Sequence, residues 1–137
     1  LKKGVFADAV KQIEADRAEG RTLVLATASY RFYAAEIAAQ LGFDHVIATD
    51  SKLSTAGALL PQIDGENCYG PGKLRMIESW YAAQGLRRED TQVRFYSDHV
   101  SDAPVFDWAD EPVAVNAHAP LRALAKARGW RILDWAA

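Results

Sequence analysis

The side chains best suited to chemistry in this sequence are two carboxylates, Asp98 and Asp102, which lie four positions apart. The residues directly before them lean towards apolar and predict a β-strand over residues 92–97, in which Arg94 is out of place for a buried strand. We therefore expect Asp98 at the carboxyl end of a strand and Asp102 in the first turn of the following helix. Two carboxylates held close together repel unless a cation or a proton lies between them, so the pair indicates a hard-metal site built from oxygen ligands. An ordinary helix cap followed by a solvated acid would give the same pattern.

A hydroxyl group, Thr27, closes an earlier apolar strand predicted at residues 22–27. Ala28 and Ser29 follow it and lead into a helix. A hydroxyl, small residues and backbone amides at a helix N-terminus form an anion site, because the amides and the helix dipole point at the ligand. The same residues could instead serve as an ordinary N-cap.

A lysine, Lys73, opens another predicted helix directly after Gly72. At that position it can neutralise a phosphate near the helix end. The stretch is not a Walker A loop, because Asn67 replaces the first glycine and Leu74 stands where Ser or Thr is needed. Taken alone, Lys73 could equally be a solvated surface charge.

The elements that must position these groups alternate between helices and strands. Four helical stripes, beginning with one at about residues 5–18, each stop at a glycine just ahead of an apolar strand; these are Gly20, Gly42, Gly85 and Gly129. This rhythm predicts an α/β fold with a mainly parallel, Rossmann-like sheet flanked by helices. A doubly wound sheet normally begins with a strand, so the first, central strand is expected to be missing from this chain. Residues 52–64, which include Pro61, predict a small hairpin or flap.

Composition limits the class of protein. A chain of 137 residues, half of them hydrophobic, predicts one globular domain over residues 1–137. The net charge of −2, with acids and bases mixed along the chain, argues against a nucleic-acid or anionic-membrane surface. The apolar runs are too short to span a bilayer. The single cysteine, Cys68, excludes an internal disulfide and fits a cytoplasmic location.

The order of these groups resembles the motifs of the haloacid dehalogenase superfamily of phosphotransferases, in its phosphoserine-phosphatase-like branch. A strand ending in Thr27 resembles the second motif, Gly72-Lys73 the third, and Asp98-His-Val-Ser-Asp102 the fourth. The resemblance extends over essentially the whole chain. A receiver-type signalling domain fits less well, because its acids precede its Thr and Lys, and no Gly-x-Gly-x-x-Gly suggests a dinucleotide fold.

The resemblance implies a Mg²⁺-dependent phosphate-monoester hydrolase acting on a small phosphorylated metabolite. In such an enzyme an aspartate attacks the phosphate and an aspartyl-phosphate is formed and hydrolysed. Asp98 would bind Mg²⁺, with Asp102 as a second ligand or an anchor. Thr27, with the amides of Ala28 and Ser29, would hold phosphate oxygens, and Lys73 would compensate their charge.

One motif of the superfamily is absent from the sequence. Its Asp-x-Asp, which supplies the nucleophile, occurs nowhere, and Asp8 and Asp16 lie on the first predicted helix. The resemblance thus implies a domain without its nucleophile, first strand and cap, and predicts that this chain alone is inactive. The alternative is a non-catalytic phosphate- or metal-binding or interaction module. In either case unpaired strand edges would favour pairing with a second copy or with an N-terminal segment.

Overall fold

The computed structural model describes residues 7–53, 59–64 and 67–135. Helices and strands alternate along most of it, as predicted. The helices are α1 (Ala7–Ala18), α2 (Arg31–Leu41), α3 (Pro71–Ala83), α4 (Ala103–Trp108) and α5 (Ala119–Arg128). The strands are β1 (Val24–Tyr30), β2 (His45–Leu53), β3 (Leu59–Asp64), β4 (Arg94–Ser97), β5 (Glu111–Val115) and β6 (Arg131–Leu133). Two 3₁₀ turns, Arg88–Asp90 and Val100–Asp102, flank β4.

The strands of the described residues form two three-stranded sheets, in the orders β1-β2-β3 and β4-β5-β6. The pairs β1–β2, β4–β5 and β5–β6 are parallel, whereas β2–β3 is antiparallel. In register, Thr27 lies beside Ala48 and Ser97 beside Ala114. The prediction of a mainly parallel α/β sheet flanked by helices is therefore confirmed.

Glycine ends the helices where the sequence predicted it. Gly42 follows α2 with φ 77° and Gly129 follows α5 with φ 73°, in the left-handed region that glycine adopts most easily. The amide of each donates back to its helix, to the carbonyls of Ala38 and Ala125 respectively. These caps satisfy carbonyl groups that the helix itself leaves unpaired.

Several strand boundaries differ from the prediction. β1 runs past Thr27 to Tyr30, because a register irregularity between these residues lets Tyr30 pair with Thr49. β2 runs from His45 to Leu53, because its second half pairs with β3. β4 begins at Arg94 rather than at residue 92, and the amide of Val93 donates to Asp110 Oδ2 at 2.7 Å instead of joining the ladder.

The predicted hairpin at residues 52–64 is present as the antiparallel pair β2–β3, in which Leu53 pairs with Leu59 and Ser51 with Ile63. Residues 54–58 lie outside the described residues. Pro61 is part of β3, which is the outer strand of its sheet. That position suits a residue with no N–H to donate.

Two clusters of buried side chains form the core. One contains Phe106 of α4, Leu121 of α5 and Ala114 of β5. The other contains Ile47 of β2, Ile77 of α3 and Val105 of α4. Phe95 of β4 packs against both clusters. Full burial of a side chain of this size contributes about 1.5–3 kcal/mol. α4 and Phe95 therefore hold the two sheets together.

The described helices are also too short or too polar to cross a membrane.

Candidate functional site

The two acids of the motif lie in different environments. Asp98 directly follows β4, and its side chain is exposed and makes no hydrogen bond or ion pair to the described residues. Asp102 ends the 3₁₀ turn Val100–Asp102 and is only 6% exposed. Its Oδ2 accepts a hydrogen bond from Ser97 Oγ at 2.5 Å. Asp102 precedes α4 but makes no side-chain capping bond, so the cap interpretation is wrong.

Lys73 is buried, at 8% exposure, rather than a solvated surface charge. Pro71 opens α3 and Gly72 follows it, so Lys73 lies in the first turn of the helix. Its Nζ lies 2.9 Å from Asp102 Oδ1. A cation is disfavoured at the positive end of a helix, and the ion pair with Asp102 offsets that penalty. The pair fixes the ammonium group near the carboxyl end of β4.

Thr27 lies within β1 and is half-buried, with Ala28 and Ser29 exposed behind it. The amide of Ser29 donates to Thr27 Oγ1 at 3.1 Å, which folds this segment back on the hydroxyl. α2 starts later, with Tyr30 as its N-cap and no side-chain capping bond. The N-cap interpretation of Thr27 is therefore wrong, and the backbone after it is the irregular end of β1.

Cys68 lies near site residues that are far apart in the sequence. It is fully buried, and its amide donates to Thr49 Oγ1 at 3.0 Å. Burial raises the pKa of its thiol, while the nearby Lys73 ammonium and a hydrogen bond from the Thr27 backbone act in the opposite direction. The thiol therefore lies within reach of both residues. α3 also contacts β1 and the Val100–Asp102 turn. The structure thus brings Thr27, Lys73 and Asp102 together at one edge.

Two supporting residues could not be identified from the sequence. Ser97 donates to Asp102, and His118 accepts a hydrogen bond from the Val100 amide at Nε2, at 3.2 Å. The amide of His118 also donates to the Asp98 carbonyl at 3.3 Å. His118 lies between β5 and α5 and thus stabilises the turn between the two acids. No local sequence pattern indicates that contact. His99 is exposed, with its ring 4.1 Å from that of His118.

The donors at this edge suit a hard divalent cation. Asp98 offers an exposed carboxylate, whereas Asp102 is already bound by Lys73 and Ser97. Within the described ranges, no group of three or more His, Cys, Asp or Glu residues could enclose a metal. Mg²⁺ usually keeps several waters and takes one or two carboxylates together with substrate phosphate oxygens. The residues fit such an open site, in which Asp98 would be the ligand and Asp102 would anchor Lys73.

Comparison with known proteins identifies the family. A model of the haloacid dehalogenase-like hydrolases matches residues 2–107. The chain belongs to this superfamily. It is 34% identical over 116 residues to phosphoserine phosphatase SerB1 of Mycobacterium tuberculosis, covering 85% of this chain and 37% of that protein. This likeness agrees with the phosphoserine-phosphatase-like motifs that the sequence resembles.

Two solved structures share the fold. A protein of unknown function from Bordetella pertussis Tohama I superposes with a TM-score of 0.87 at 35% identity, over 92% of this chain and 56% of that one. A substrate-bound phosphoserine phosphatase gives a TM-score of 0.66 at 21% identity, over 92% and 56% of the two chains. The chain spans about half the length of these proteins and of several curated relatives.

Proposed function

We propose that this chain is the phosphate- and Mg²⁺-binding core of a phosphatase that hydrolyses small phosphate monoesters. The observation that carries the proposal is the buried Lys73–Asp102 pair, with Nζ and Oδ1 2.9 Å apart, beside the exposed Asp98 carboxylate. Burying a cation costs free energy unless an opposite charge lies beside it. Here the partner, Asp102, holds the ammonium near the carboxyl end of β4. Thr27 pairs with Ala48 towards the carboxyl end of β1.

Each residue has a separate task in the proposed site. Lys73 donates to a phosphate oxygen, and Asp102 holds its Nζ in place. Thr27 Oγ1 donates to a second oxygen, and the amide of Ala28, on exposed backbone, donates to a third; the Ser29 amide, which donates to Thr27 Oγ1, orients that hydroxyl unless it turns to the phosphate. Asp98 would hold Mg²⁺, which when bound neutralises phosphate charge. Such positioning and electrostatic stabilisation supply most of the catalysis in phosphoryl transfer.

The attacking group of this proposal is an aspartate from outside residues 1–137. Its carboxylate oxygen would form a bond to phosphorus while the ester oxygen leaves with a proton from a second acid, likewise supplied from outside residues 1–137. Water would then release inorganic phosphate from the aspartyl-phosphate and restore the carboxylate. Lys73 and Thr27 would hold the same phosphate oxygens in both steps. The chain by itself should therefore bind phosphate without turning over an ester.

Titration calorimetry with inorganic phosphate, with and without Mg²⁺, tests the proposal. We expect Mg²⁺ to strengthen phosphate binding to residues 1–137, and Asp98→Asn to remove that gain. Asp98 is exposed, so its substitution leaves folding intact. Asp90→Asn, another exposed carboxylate, is the matched control. A phosphate affinity that changes neither with Mg²⁺ nor with Asp98→Asn would contradict the proposed site.

A second assay tests the origin of the nucleophile. Phosphoserine and p-nitrophenyl phosphate are incubated with residues 1–137 and Mg²⁺, and released phosphate is measured. The proposal expects no turnover above that of the Asp98→Asn variant. Sustained turnover that Asp98→Asn abolishes would show that the attacking group lies within this chain.

A further inference from the structure

Three aromatic side chains are left exposed beside the candidate site. Phe32, Tyr33 and Tyr69 are 43%, 55% and 53% exposed, whereas every other phenylalanine, tyrosine and tryptophan of the described residues is more enclosed. All three lie within six positions of Thr27 or Lys73 in the sequence. Single apolar side chains on a surface are ordinary, but apolar side chains exposed together mark an interaction site.

Phe32 and Tyr33 lie in the first turn of α2, directly after β1. Their ring centroids are 4.1 Å apart, and the ring of Tyr30 is stacked on that of Phe32 at 6.2 Å. The three rings therefore support one another and form a continuous aromatic surface. Because α2 begins at the carboxyl end of β1, this surface adjoins Thr27.

Tyr69 belongs to the segment that leads into α3. Its carbonyl accepts a hydrogen bond from the Gly72 amide at 3.0 Å, so its backbone is fixed to the helical turn that contains Lys73. Gly70 is buried, and a Cβ added to it would lie 3.8 Å from the Ser101 carbonyl oxygen. The segment thus packs against the turn after β4, while the Tyr69 side chain points into solvent.

Thr49 joins the two segments that carry these rings. It is buried, at 1% exposure, and pairs with Tyr30 at the end of β1. Its hydroxyl accepts a hydrogen bond from the Cys68 amide at 3.0 Å and donates to Asn67 Oδ1 at 3.2 Å. Cys68 and Asn67 directly precede Tyr69. The start of α2 and Tyr69 therefore belong to one rim of the candidate site.

The charges at this rim limit what can bind there. The cations in the first turns of α2 and α3, Arg31 and Lys73, already have anionic partners. Arg31 Nε lies 2.6 Å from Asp50 Oδ1, and Lys73 Nζ lies 2.9 Å from Asp102 Oδ1. Lys73 is assigned to the phosphate, so a second anion on the substrate would have to displace Asp50 from Arg31. An uncharged apolar group needs no such displacement.

We propose that Phe32, Tyr33 and Tyr69, hereafter the aromatic rim, bind the organic group of the substrate, and that this group is a flat aromatic ring. The inference rests on the proposed function, because the rim adjoins the phosphate site through Thr27 and Lys73. An aromatic ring packs on tyrosine and phenylalanine rings at centroid distances of about 4.5–7 Å and gains more than its apolar area alone provides. The proposal narrows the substrates to aryl phosphate monoesters.

Titration calorimetry with residues 1–137 and Mg²⁺ tests the aromatic rim. The main probes are phenyl phosphate and cyclohexyl phosphate, which have the same number of carbon atoms and differ in the flat ring. At about pH 8 both phosphates are doubly charged. Inorganic phosphate measures the phosphate site by itself, and phosphoserine carries a second anion. We expect phenyl phosphate to bind about three- to tenfold more tightly than cyclohexyl phosphate, and more tightly than phosphoserine.

Two variants locate the preference on the rim. Tyr33→Leu and Tyr69→Leu each remove a ring and keep an apolar side chain, at positions where exposure lets the fold tolerate the change. In each variant the ratio of the phenyl phosphate affinity to the cyclohexyl phosphate affinity should fall towards one. Leu86→Ala is the matched control. Leu86 is also exposed, but it follows the opposite end of α3, so the ratio should keep its original value.

The outcomes separate this inference from the proposed function. If inorganic phosphate binds but phenyl and cyclohexyl phosphate bind equally, the aromatic rim is overturned and the proposed function stands. A preference that survives both tyrosine substitutions, or tighter binding of phosphoserine, would also overturn the rim alone. Absence of phosphate binding would overturn the proposed function and this inference with it. A concentration-dependent dimer that Tyr33→Leu disperses would show that a second copy covers the rings, and would also overturn the inference.

Discussion

Lys73 Nζ and Asp102 Oδ1 lie 2.9 Å apart, with both side chains almost fully enclosed by protein. One residue opens α3 and the other closes the turn after β4, so the contact joins the two halves of the candidate site. Removing one member of a buried pair leaves an uncompensated charge, which is worse than removing both.

The first prediction concerns this pair. Lys73→Met and Asp102→Asn should each lower the free energy of unfolding by about 3–5 kcal/mol, because each leaves a buried group unpaired. The double variant Lys73→Met/Asp102→Asn should lose less than the sum of the two. Urea unfolding followed by circular dichroism measures all three. Arg87→Ala, which breaks exposed ion pairs with Glu89 and Asp90, should change the free energy of unfolding far less than either buried substitution. Additive effects of the two buried substitutions would contradict the coupling.

The second prediction concerns Thr27. In Thr27→Val the Ser29 amide loses its acceptor, so we expect a stability loss of about 0.5–1.5 kcal/mol. The free energy of phosphate binding should weaken by more than the free energy of unfolding does. The proposed site loses the Thr27 donor as well as the hydrogen bond between Ser29 and Thr27. Calorimetry and urea unfolding measure the two effects. Thr22→Val removes the hydroxyl of an exposed threonine and should change neither quantity.

The third prediction concerns pH. Burial, followed by the hydrogen bond to Asp16, raises the pKa of Tyr96 to about 12 from its ordinary value of 10.0. Between these pH values the folded chain keeps a proton that the unfolded chain has lost, so stability should fall as pH rises from about 10 to about 12. Tyr96→Phe cannot ionise there. The stability difference between the two proteins should therefore shrink over this range, as measured by urea unfolding at several pH values. A constant difference would contradict the raised pKa.

The fourth prediction concerns Cys68. Burial raises the pKa of its thiol above 9.0, so little thiolate exists near neutral pH and the sulfur is also shielded. We expect iodoacetamide to modify the folded chain far more slowly than the urea-unfolded chain. Mass spectrometry of timed samples gives both rates. Equal rates would show that the site around Cys68 opens freely.

The sequence predicted the groups at the sheet edge because their placement follows from local patterns. Apolar runs fix the strands that Thr27 and Asp98 follow, and parallel strands carry their carboxyl ends to one edge. Glycines such as Gly42 marked the helix ends for a similarly local reason. The family and the parallel fold could therefore be predicted without a structure.

Contacts between distant residues could not be predicted in that way. Arg94 looked out of place in a strand, yet its Nη1 lies 2.7 Å from Asp16, 78 positions away, and its Nε lies 3.0 Å from Glu111. The burial of Lys73 and the support that His118 gives to Val100 also depend on how the elements pack. No periodic pattern in the sequence indicates these contacts.

The separation of the two sheets also bears on folding cooperativity. In the described part of the chain no ladder hydrogen bond joins β1 to β4, so the sheets are coupled mainly by side chains such as Phe95 and by α4. Each sheet with its helices can then open as its own unit, with its own hydrogen-exchange free energy. A strand hydrogen-bonded to both would merge the two units into one. The candidate site would then form in the same cooperative step in which the whole domain folds.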